Sequence, residues 1–402
     1  MPERWRQLAL LSLAELLALS LWFSASAVLP ALSREWSLGD GGRAGLTIAV
    51  QAGFIVGTLA SALGNLPDVW SARRLLAASA VLGAAANAAL ALAVERLEPA
   101  LALRFVTGMA MAGAYPPAMK IMATWFREGR GLAIGILVGA LTVGSAVPHL
   151  VRGVTGLPWR GTLLVASGLA LAGAGVVSAC VREGPHRFPA ARFDVRMAFA
   201  VFRERGSRLA SLGYFGHMWE LYAMWAWIGV FLAESLAARG GGDYAGANAS
   251  AATFVVIAVG ALGCWLGGAV ADRWGRTTLT ILAMACSGAC ALGIGLTFGG
   301  PPLLTLAVAL VWGVTVVADS AQFSMAVTEL SPPAYVGTAL TTQTCAGFAL
   351  TTLTIWLVPP AVAAVGWPWA FALLAPGPFL GVLAMARLRA LPEARRLAGG
   401  RR

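Results

Sequence analysis

The stretch GCWLGGAVADRWGRTTLTILAMACSG, residues 263–288, sets one acid and two arginines between two apolar runs. The run before the charges (249–271) and the run after them (277–298) each approach the 20 or so apolar residues that a helix needs to cross a bilayer. Hydrocarbon offers backbone groups no partner, so each run reads as a helix that satisfies its own hydrogen bonds. The charged turn then lies at a membrane surface. The pattern recurs upstream, where Gly64-Asn65-Leu66-Pro67-Asp68 ends an apolar run as Gly268-Ala269-Val270-Ala271-Asp272 does, 204 residues later. Arg130-Gly131 and Val336-Gly337 open runs 206 apart, and Glu15 and Glu220 lie 205 apart within runs. Three landmarks sharing one offset predict a duplicated chain.

Working outward, twelve apolar runs predict helices at 8–30, 44–64, 74–94, 100–123, 131–151, 159–181, 208–235, 249–271, 277–298, 302–327, 337–358 and 368–387. The expected fold is an all-α membrane protein with 12 transmembrane helices in two pseudo-symmetric six-helix bundles. Residues 1–181 form the first bundle, 182–207 an arginine-rich cytoplasmic linker, 208–388 the second bundle and 389–402 a basic cytoplasmic tail. The segment from Arg387 onward is expected to fray. With 58% hydrophobic and 12% charged residues, and a mean hydropathy of +0.76, the chain lacks the charge a water-soluble exterior needs. Its 48 glycines fit close helix packing in lipid.

The net charge of +11 comes from 28 arginines and Lys120 against 18 acids. With a cytoplasmic amino terminus, most arginines fall in inside loops, which is the positive-inside bias. Topology therefore accounts for the charge, and no aromatic-interleaved basic motif points to nucleic acid. The five cysteines lie in apolar runs without CxxC spacing or histidine partners, so neither a metal site nor a disulfide framework is expected. HExxH, Walker and Gly-x-Ser-x-Gly motifs are missing, and no cofactor or enzymatic activity is expected.

At Gly268-x-x-x-Asp272-Arg273-x-Gly275-Arg276 the sequence resembles the major facilitator superfamily. The first copy keeps Gly64, Leu66 and Asp68 but departs at Val69-Trp70-Ser71-Ala72-Arg73-Arg74. Arg104-x-x-x-Gly108 is similar to the family's fourth-helix arginine motif. The fifth run lacks the Gly-Pro pair of drug/proton antiporters, which favours an importer or facilitator. The resemblance implies that Asp68, Arg73, Arg74, Gly268, Asp272, Arg273, Gly275 and Arg276 gate the cytoplasmic side. An acid there can meet the positive N-terminus of a neighbouring helix. The plainer alternative is that the arginines only set topology.

Ionisable groups within hydrocarbon cost about 2.5–3.5 kcal/mol on insertion scales and usually face a cavity or a partner. They fall on helix one (Glu15), helix four (Arg104, Lys120), helix seven (His217, Glu220) and helix ten (Asp319), with His149 of helix five the main exception. In the family these four helices line the central cavity. Helical spacing adds Tyr115 beside Arg104, and Gln322 one turn from Asp319, while Tyr222 neighbours Glu220. The expected solute and proton site is Glu15, Arg104, Tyr115, Lys120, His217, Glu220, Tyr222, Asp319 and Gln322. Glu220, about 18 Å from the cytoplasmic end, is the leading proton carrier, with Glu15 or Asp319. Arg104 and Lys120 would attract an anion or pair with emptied carboxylates. Internal ion pairs such as Glu15 with Lys120 are the alternative, and His149 is expected to hydrogen-bond locally beside Pro148.

The sequence thus predicts an alternating-access secondary transporter, proton-coupled, of a small polar metabolite or organic anion. Its partners would be that solute, protons and the bilayer, with the chain acting as a monomer in a bacterial cytoplasmic membrane, both termini inside. A drug/proton efflux antiporter and a transporter-like solute sensor are the alternatives.

Overall fold

The computed structural model describes residues 2–66, 70–126, 129–186, 198–199, 202–240, 245–332 and 335–401. The first half forms α1 (Glu3–Leu19, continued after a break as Ser24–Ala27 and Leu29–Glu35), α2 (Asp40–Leu63), α3 (Ala72–Ala93), α4 (Leu97–Ala112, then Tyr115–Ala123), α5 (Arg130–Thr155) and α6 (Trp159–Cys180). The second half forms α7 (Arg205–Ala238), α8 (Ala245–Ala258, then Gly260–Trp274), α9 (Arg276–Gly293), α10 (Pro302–Ala318, then Ser320–Leu330), α11 (Val336–Val365) and α12 (Trp367–Ala370, resuming at Pro376–Ala390). No strand occurs among the described residues. Among the described residues, ten of these columns are long and apolar enough to cross a bilayer; the other two, α1 and α4, are divided into shorter pieces.

The breaks have local causes. In α4, Gly113 and Ala114 leave helical geometry just before Pro116-Pro117, which lack the N–H groups that would continue the ladder. In α1 the chain unwinds over 20–23 with no proline, so an outside group must hold its carbonyls. That group is described below. Between α8 and α9, Gly275 adopts φ +93°, a region that favours glycine, which explains its place in the charged turn.

Within each half the helices approach closely. Where α2 crosses α4, a Cβ at Gly53 would lie 2.0 Å from the Phe105 carbonyl, and one at Gly108 would lie 2.0 Å from that of Val50. Small residues here let backbones touch, which is how helices associate without a hydrophobic drive. The halves meet along two seams, α2 against α11 and α5 against α8.

Both flanking segments are more ordered than polar composition suggests. The start of the linker docks on α4: Gly184 N–H donates to Thr124 Oγ1 (2.6 Å) and His186 N–H to the Thr124 carbonyl (3.1 Å). Residues 187–197 and 200–201 of the expected linker lie outside the described residues. The tail, expected to fray, forms a turn at Pro392–Gly400 with Ala394 and Leu397 buried. Its Ala398 N–H donates to Glu329 of α10 (3.1 Å), and Arg401 donates to the Asp272 carbonyl. Apolar contacts made by alternate residues outweigh its arginines.

Candidate solute site between the two halves

The α10 break falls on Asp319, which is withdrawn from solvent at 1% exposure. Its Oδ1 lies 2.9 Å from Nδ1 of His217 on α7, itself buried. Neither Asp319 oxygen makes a hydrogen bond of good geometry among the described residues, nor does His217 Nε2. One turn on, Gln322 accepts from Arg276 (2.7 Å) while its Nε2 has no acceptor. Arg276, at the start of α9, also holds Glu329 through two bonds of 2.8 and 2.5 Å. Arg276 thus physically joins the α8–α9 turn to the α10 site.

Glu15 on α1 is buried and neither oxygen accepts a hydrogen bond. Half-buried Tyr115, at the head of the inner piece of α4, lies within its electrostatic reach. Glu220 is placed differently. It accepts from Trp312 Nε1 (2.7 Å) and from Ser287 Oγ, partners on α10 and α9 of its own half. The expectation that it leads proton transfer at a shared vestibule needs correcting, because its carboxylate turns into the second bundle.

Arg104 needs the same correction. Its guanidinium donates to the carbonyls of Leu21 (3.1 Å) and Trp22 (2.5 Å), to Ser24 Oγ (3.0 Å) and to Asn87 Oδ1 (3.3 Å). Asn87 in turn donates to the Leu163 carbonyl (2.9 Å) and Ser167 Oγ (3.0 Å) of α6. This network holds α1 unwound and commits the cation to backbone. Lys120 lines a cleft near the inner end of α3 with Trp70, Ser71, Thr124 and Glu183, away from the centre.

Between the halves sits an aromatic cluster of which only Tyr222 was among the expected site residues. Trp22, Phe23 and Phe54 come from the first half, and Tyr222, Trp225 and Phe348 from the second. Phe54 and Phe348 centroids are 4.3 Å apart, and Trp22 lies 5.8 Å from Tyr222 and 5.7 Å from Phe348. Phe23 stacks on Tyr222 at 6.1 Å and meets Trp225 edge-on at 5.8 Å. The unwound α1 stretch delivers Trp22 and Phe23 there. Among the described residues the indole N–H groups of Trp22 and Trp225 have no acceptor, and the buried amides of Gln51 (α2) and Gln343 (α11) have no partner on either atom. Uncharged polar residues inside apolar runs were the available signal.

At the α8–α9 turn, Asp272 lies against the first turn of α5: a Cβ at Gly131 would be 2.9 Å from its Oδ1, and a Cβ at Gly268 would be 3.0 Å from the Gly131 carbonyl oxygen. A carboxylate at this positive helix end stabilises the closed seam. Arg273 is exposed, Arg73 donates to the Val181 carbonyl (3.4 Å), and Arg74 is exposed with its N–H capped by Ser71 Oγ (3.3 Å). Asp68 lies outside the described residues.

Two six-helix halves with buried, unpartnered polar groups at their junction define a membrane transporter rather than an enzyme. The Major Facilitator Superfamily model matches residues 11–350, and the chain belongs to that family. Solved structures agree in fold. The nucleoside transporter NupG matches with TM-score 0.73 at 14% identity, covering 95% of this chain and 99% of that one. The proton:xylose symporter XylE matches with TM-score 0.73 at 15% identity, covering 96% and 95%. A D-xylose-proton symporter structure matches with TM-score 0.74 at 16% identity, covering 97% and 98%. Among curated proteins no sequence matches.

Proposed function

We propose that this transporter couples a proton to the movement of a small, uncharged, polar solute. The observation that carries the reading is the buried Asp319–His217 pair at the α10 break, beside the unpartnered Gln322 amide. A carboxylate in such a place is costly when charged, so its proton is tied to whether water or a cation reaches it. Rearrangement of the two α10 pieces would change that access and tie protonation to the inward–outward equilibrium. Glu15 is the second candidate carrier.

Solute charge follows from what the cations do. Arg104 is committed to the α1 backbone and Lys120 sits at the inner cleft, so an organic anion loses its expected ligands. The Gln51 and Gln343 amides and two indole N–H groups suit hydroxyl and carbonyl groups, and the rings suit a flat or apolar face. Xylose and nucleosides, carried by the similar solved proteins, have that chemistry. A drug/proton antiporter remains the second reading because six rings crowd the junction.

Proteoliposomes containing a pH-sensitive dye test the proposal against pools of sugars, nucleosides, organic anions and lipophilic cations. Solute-dependent proton flux in wild type, lost in Asp319→Asn with binding retained, supports it. Solute uptake without proton movement would leave a facilitator, and flux driven by anions alone would reverse the charge assignment.

A further inference from the structure

His149 lies outside everything described so far. It sits toward the outer end of α5, 5% exposed, on one stripe with Thr142 and Ser145. That stripe faces the second half: Thr142 Oγ1 lies 4.0 Å from Cys264 Sγ on α8, and a Cβ at Gly229 of α7 would lie 3.5 Å from His149 Cε1 and 3.1 Å from Thr253 Oγ1 of α8. His149 Nε2 has no hydrogen-bond partner among the described residues, nor does Ser145 Oγ. The local bond expected from sequence does not form at that nitrogen. One turn outward the seam is tight, since a Cβ at Gly153 would lie 2.9 Å from the Ala251 backbone nitrogen.

We infer that His149 is a second proton site, whose protonation from the outside opens the outer part of the seam between α5 and α7–α8. A neutral imidazole is tolerated in this dry junction, whereas an imidazolium would bury a charge and a donor with no acceptor. The groups around it reinforce the penalty. Arg152, one turn along the same helix, is the charged group within reach, and Arg34 on the outer piece of α1 lies near Arg152. From α7 comes Gly229 and from α8 the Thr253 hydroxyl, which is already donated to the Ala249 carbonyl (2.7 Å). The Ser24–Ala27 piece of α1, which also packs on α5, carries no ionisable side chain. With no acid among the described residues that face it to receive the charge, separation of the helices and entry of water is the way the protonated state is accommodated. Histidine is the side chain whose charge changes in the range that an external medium spans.

The site acts without solute, so it is tested without transport. Spin labels at Thr155→Cys and Asn248→Cys, both exposed and flanking the outer seam, are placed in a background with the five native cysteines replaced by serine. Pulsed EPR distances are recorded in liposomes between pH 7.5 and 5.5. A longer-distance population should grow on acidification, by at most about tenfold per pH unit for one linked proton. In His149→Gln, or in His149→Asn should the glutamine variant not reconstitute, the distribution should not move with pH. His186→Gln, in the segment after α6, should respond as wild type does. A wild type insensitive to pH, a His149 variant that still responds, or a response lost in His186→Gln would each overturn the inference. Loss of proton-coupled solute flux in the assay above, with this response intact, would sink the proposed function alone.

Discussion

Arg104→Met should lower stability by up to about 2 kcal/mol, by an amount set by what α1 does. If α1 stays unwound, the Leu21 carbonyl keeps Ser24 as donor and only the Trp22 carbonyl loses its partner, at about 1–3 kcal/mol. If α1 rewinds to satisfy them, Trp22 and Phe23 leave the cluster. Five ring pairs then break, each worth about 0.5–1.5 kcal/mol. Removing a buried cation returns about 2.5–3.5 kcal/mol, so the net is close to zero if α1 stays unwound and a loss on the order of 2 kcal/mol if it rewinds. For a half of this size that corresponds to an apparent Tm fall of about 4–8 °C. Nanoscale fluorimetry on detergent-purified protein reads both the transition and the summed emission of the 15 tryptophans, to which Trp22 and Trp225 contribute. Arg104→Lys, which cannot span four acceptors, should fall between. An unchanged Tm together with unchanged tryptophan emission in Arg104→Met would refute the stapling role.

Other substitutions separate structural from coupling roles. Glu220→Gln keeps one acceptor for two donors, so it should cost about 1–2 kcal/mol while proton flux persists; flux lost at full stability would return Glu220 to the coupling path. Gly53→Val drives a side chain into the Phe105 carbonyl, and yield of folded protein should collapse through a penalty of more than about 3 kcal/mol; normal yield would contradict the α2–α4 crossing. Gly131→Val crowds Asp272 and should loosen the inner seam, raising inside accessibility several-fold by cysteine labelling at a nearby site; unaltered labelling would remove that contact from the gate. Phe348→Ala removes three ring pairs from a buried site, so it should lower Tm as well as weaken solute binding about tenfold or more; equal affinity in the folded variant would place the solute elsewhere.

Much of the architecture was legible because hydrocarbon allows few solutions. Apolar length and the repeated Gly-Asp landmarks define the twelve columns, and Gly275 and Asp272 were found by their pattern. What helical spacing could not decide was which neighbour a polar face meets. Glu220 and Arg104 share stripes with residues near the junction, yet each turns into its own bundle, toward Trp312 and Asn87. The α1 break was hidden because its cause is a side chain 80 residues away rather than a local proline. Gln51, Gln343, Phe54 and Phe348 escaped because a search for charge passes over amides and rings in α2 and α11.

The folded chain end has a practical side. Leu397 is sunk in the protein interior, and the residues after it touch Glu329 and Asp272, the same two acids that anchor α9 and abut α5. Anything appended behind Arg401, whether an affinity handle or a fluorescent reporter, therefore pulls on the α8–α9 turn and the end of α10. Fusions at the opposite terminus, where Glu3 and Arg6 pair in the open, leave those contacts alone.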